Sequence, residues 1–155
     1  MQQKNIDLVL RHGIFTEAEL RARYAIHLEA YNKIVAIEAR TMLDMAIHQI
    51  LPAAMHYTKD LCDALVVKKS VGASCNAETV LIRKLSSHTD SLYDTIDTLR
   101  HGLTNVPKQP EAAAMYYHDT IVPGMNALRA EADILEAMTE KNYWPYPTYS
   151  DLLFY

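Results

Sequence analysis

From Thr16 to Val67 the apolar side chains recur three and four residues apart, the period of a helix face, and the run contains no glycine and one proline. The pattern predicts one very long helix, or two in line. Thr16-Glu17-Ala18-Glu19 has the form of a capping box, with Phe15 and Leu20 at the positions of a hydrophobic staple, so the first turn starts here. Leu20, Tyr24, His27, Tyr31, Ile34, Glu38, Thr41, Met45 and His48 form one helical line, and Leu28, Val35, Met42 and Ile50 a neighbouring one. Around Ile34 to Ile37 the helix is apolar on most sides, which predicts cover by more than one partner.

Pro52 interrupts the run. A straight helix of this length would reach on the order of 75 Å, against a radius of gyration of roughly 15 Å for a compact chain of this size. The ring of Pro52 also clashes with the carbonyl four residues back, so a bend is expected there, with both halves helical. Lys68-Lys69 followed by Gly72 closes the second half, and Gly13 closes a short lead-in in the same way. Ser74 or Asn76 is placed to cap the helix after that turn.

This next helix carries a narrow stripe, Leu81, Leu85, Leu92, Ile96, Leu99 and Leu103, with His88 standing where an apolar residue belongs. A hydrogen-bonded core histidine explains that position more simply than a ligand does. Gly102 to Pro110 reads as a loop. A last helix comes after it with Ile121, Met125, Leu128, Ala132, Leu135 and Met138 on one face, kinked at Pro123-Gly124 much as the first is at Pro52. The fold class expected is therefore all-α: an elongated antiparallel bundle of about four long helices, near residues 16–50, 52–70, 77–101 and 111–142, after a lead-in over 1–15. The tail over 143–155 is expected to be extended, because Pro145 and Pro147 interrupt it.

With 155 residues the chain is most simply a single domain, 1–155. A net charge of −4 offers no basic field for nucleic acid or an anionic bilayer, and no apolar run is long enough to span a membrane. No signal peptide is evident at Met1, and a cytoplasmic protein is expected. Cys62 and Cys75 have neither zinc nor redox spacing and read as reduced structural thiols.

Signatures of catalysis are missing: there is no HExxH, P-loop, GxGxxG or GxSxG. A di-iron centre needs Glu-x-x-His, whereas Glu38, Glu111 and Glu136 are followed three residues on by Thr41, Ala114 and Thr139. No catalytic, cofactor or metal residue is assigned. Glu38 on the apolar line is expected to be paired inside the core, since a lone buried carboxylate is costly. Asp44 with His48, and Tyr116-Tyr117-His118, form looser polar groups.

The tail is the least ordinary stretch. Trp144, Tyr146, Tyr149, Leu152, Leu153, Phe154 and Tyr155 crowd its thirteen residues, and so much apolar surface needs cover. It either straps back across the bundle or docks on a neighbouring domain or subunit. Trp144, Pro145, Tyr146, Tyr149, Leu153 and Phe154 are the candidate contacts.

Two stretches, Arg11 to Leu61 and Asn142 to Tyr155, resemble the C-terminal region of type III glutamine synthetases. The matching motifs are Phe15-Thr16-Glu17, Ile37-Glu38-Ala39, Met42-Leu43-Asp44-Met45, Ile50-Leu51-Pro52-Ala53 and the ending from Trp144 to Phe154. Arg40 stands where the family pattern has an apolar residue, and Ser150 where it often has glycine. The resemblance implies the C-terminal fragment of a large ATP- and magnesium-dependent ligase that joins ammonia to glutamate and assembles as a double ring. It also implies that ATP, magnesium and the catalytic residues belong to an upstream domain, leaving this one to support that domain and the oligomer. The different reading the residues allow is a free-standing helical module with an apolar cavity near Pro52 and Pro123, edged by His48 or Tyr117.

Overall fold

A computed structural model describes residues 2–147 and 149–153, among which every regular element is helical. Helix α1 (Gln3–Arg11) is closed by Gly13 at φ 61°, a left-handed conformation that costs glycine nothing. Helix α2 (Glu17–Met45) starts on the expected capping box: the Glu19 backbone N–H donates to Thr16 Oγ1 at 3.3 Å, and the Thr16 N–H donates to Glu19 Oε2 at 2.9 Å. That second bond, joined by one from the Thr16 hydroxyl, holds the Glu19 carboxyl below its usual range.

No break separates α2 from helix α3 (Leu51–Ser70); the two are joined by a π turn, Ala46–Ile50, with helical backbone on both sides. The Leu51 N–H reaches back five residues to the Ala46 carbonyl. One extra residue is thereby held in the turn just ahead of Pro52, widening it where the ring would meet the preceding turn. Segments of 29, 5 and 20 residues thus form one continuous helix, roughly 80 Å along its path at about 1.5 Å per residue.

Gly72, at φ 70°, turns the chain into helix α4 (Asn76–Thr104). Neither Ser74 nor Asn76 caps it; Cys75 holds the cap position without a side-chain bond. Nor does Gly102 end it. That glycine sits inside the helix at a crossing, where a Cβ would lie 3.1 Å from Ile121 Cδ1, and its carbonyl accepts a bond from the Tyr116 hydroxyl at 3.1 Å. The bare backbone is needed for approach rather than for a stop.

The third rod repeats the design of the first. Helix α5 (Pro110–Tyr116), a second π turn (Tyr117–Ile121) and helix α6 (Val122–Met138) run on without interruption, and the Val122 N–H bonds the Tyr117 carbonyl five residues back, just ahead of Pro123. Pro110 opens α5, with the Gln109 side chain accepting from the Ala112 N–H at 2.9 Å. The rod stops at Met138, earlier than the expected 142, because no apolar side chain continues its stripe between Thr139 and Asn142, and Thr139 turns extended at ψ 136°.

The four expected helices are therefore three rods. The α4 and α6 rods run antiparallel, as the close approaches Gly102 to Ile121 and Gly124 to Leu99 and the pair His88 to Glu131 require. The Asn32 side chain donates to the Pro110 carbonyl, which fixes the start of the third rod alongside α2. Leu85, Leu92, Ile96, Leu99, Ile121 and Leu135 fill the centre and are almost wholly shielded. On the first rod the buried residues are Val35, Ala36, Ala39, Leu43, Ala46 and Ile50, which take in Val35 and Ile50 of the Leu28-to-Ile50 line and not the longer line through Glu38. Small residues on that face let the rods approach closely.

Before Tyr31 the first rod runs past the bundle with little beyond α1 and the start of α5 beside it. The accessible surface is 10434 Å², against on the order of 7,900 Å² for a compact monomer of 17.6 kDa. No helix among the described residues is long and apolar enough to cross a membrane.

Candidate interface built by the aromatic tail

Past Met138 the chain turns sharply, with backbone bonds from Tyr143 to the Glu140 carbonyl at 2.9 Å and from Trp144 to the Lys141 carbonyl at 3.2 Å. This turn points two aromatic rings at the bundle. Tyr143 lays its ring against Tyr57 on α3, centroids 5.1 Å apart, and its hydroxyl donates to Asp60 Oδ2 at 2.5 Å. Trp144 is 9% exposed and joins the hydrophobic core.

The tail is thus strapped back over its own bundle at least as far as Tyr146, which is half-buried against the core. Burial and the nearby Asp44 carboxylate push the Tyr146 hydroxyl up. Pro145 stays exposed. The expected extended path holds only through the two prolines, for residues 149–153 form a short helix, α7 (Tyr149–Leu153), whose Asp151 pairs with Lys141. Leu152 and Leu153 are 65% and 64% exposed. Of the other candidates, Phe154 and the side chain of Tyr149 lie outside the described residues.

Under the strap is a cleft of about 180 Å³ between the first π turn, α6 and the tail, lined by Met42, Met45, Ile50, Leu128, Trp144 and Tyr146 and edged by Arg129, Asp133 and Glu136. It is smaller than the roughly 300–1,000 Å³ of ordinary ligand pockets. Pro52, Pro123, His48 and Tyr117 do not line it.

The remaining polar candidates are scattered. His88 does what its place in the stripe suggested, its Nδ1 meeting Glu131 Oε2 at 2.9 Å between α4 and α6. Glu38 is exposed, contrary to the expected core pairing, because the bundle buries the adjacent face of α2. Arg40 is exposed too, so its departure from the family pattern disturbs no core. Asp44 and His48 are an exposed pair 3.5 Å apart, and Tyr117 is a core residue at 7% exposure. Cys62 and Cys75 are free. Among the described residues no three His, Cys, Asp or Glu side chains are grouped to hold a metal ion.

Sequence reasoning misses Asp60. It lies 83 residues from Tyr143 on a charged stretch of α3, and nothing local marks it as the anchor of the strap. Its carboxyl is held below the usual range, first by the Tyr143 hydroxyl and then by Lys59. A depressed carboxyl contributes stability above its unfolded value, near 3.9, and loses that contribution as pH falls through its folded value. Tyr143→Phe is accordingly expected to move the Asp60 titration midpoint upward, read by NMR of the side-chain carboxyl, and to blunt the acid-side loss of stability. An unmoved midpoint would show that the bond does not persist in solution.

The described residues thus form a three-rod helical domain strapped by an aromatic tail. Comparison with known proteins finds relatives. Residues 1–69 match the family described as glutamine synthetase C-terminal domain. It is 35% identical to a glutamine synthetase of Butyrivibrio fibrisolvens over 99% of this chain and 23% of that protein. It is 29% identical to a glutamine synthetase of Bacteroides fragilis (strain YCH46) over 95% of this chain and 21% of that one. A type-3 glutamine synthetase of Dictyostelium discoideum is 27% identical over 98% of this chain and 22% of its own length. The resemblance read from the sequence is thereby met, and the chain spans less than a quarter of the relatives it matches.

Proposed function

We propose that this domain is the non-catalytic C-terminal part of a type III glutamine synthetase, a cytoplasmic, ATP- and magnesium-dependent glutamate–ammonia ligase of nitrogen assimilation. Its role is to brace the catalytic part and contribute to contacts in a double-ring homo-oligomer. ATP, magnesium and the reacting groups belong to the upstream part of the polypeptide. The observation that carries the reading is the elongated rod architecture, whose surface exceeds that of a compact monomer by roughly a third. Rods of this kind suit bridging better than enclosing a substrate. The family match and the named relatives support the same reading.

The test is removal of the domain from the full-length enzyme, followed by mass measurement in solution and assay of glutamine formation. The expected result is loss of the assembled ring and a fall in activity of at least tenfold. A ring of undiminished subunit number with full activity would overturn the proposal.

A further inference from the structure

We draw no further inference here: the strongest candidate, the cleft of about 180 Å³ under the tail between the first π turn and α6, is edged by an Arg129 and an Asp133 that pair with each other at 3.6 Å, and nothing in the structure shows what covers it.

Discussion

Trp144→Ala is expected to destabilise the domain by about 3–5 kcal/mol, the range for truncating a large buried aromatic. The indole is 9% exposed and borders the cleft lined by Met42 and Ile50 of the first rod and Leu128 of the third. The loss has two parts. One is the transfer of the ring's apolar surface to water; the other is the release of the strap, since Trp144 and Tyr143 are its two anchors along this stretch. Urea unfolding followed by circular dichroism measures the total, and Trp144→Phe should recover more than half of it. If alanine costs less than about 1 kcal/mol, the strap is not part of the cooperative unit.

Deleting His48 is expected to cost about 3 kcal/mol or more, although the residue is exposed and its pairing with Asp44 is a surface contact. A π turn accommodates one additional residue without rotating the helices on either side of it. Removing that residue restores a regular ladder, and Pro52 then meets the carbonyl four residues back inside an ordinary α-helix. Combining the deletion with Pro52→Ala should restore most of the stability, because alanine supplies the missing N–H and removes the ring. Were the deletion harmless, or the double change no better than the single one, the link between the π turn and the proline would be refuted.

The rods were legible in the sequence because long apolar stripes with few glycines admit little else. Capping at Thr16 and the left-handed closures at Gly13 and Gly72 were legible for a local reason: each depends on residues within one turn. What misled was anything decided across the bundle. Gly102 looks like a terminator on its own helix and is a contact point for Ile121 on another. Glu38 lies on a good apolar line, but α2 has two such lines and only packing chooses between them. The prolines marked where the helices are disturbed, and the structure adds the form, a π turn just ahead of each. In the tail, the aromatic crowding marked the strap while giving no hint of Asp60, whose role is set by proximity in space alone.

The first rod stays hydrogen-bonded through both sides of its wide turn. The backbone from Glu17 to Ser70 is therefore one uninterrupted ladder, and the separation of those two points is set by helix rise rather than by a loop. Displacement at one end reaches the other as translation or axial twist instead of being absorbed in a flexible joint.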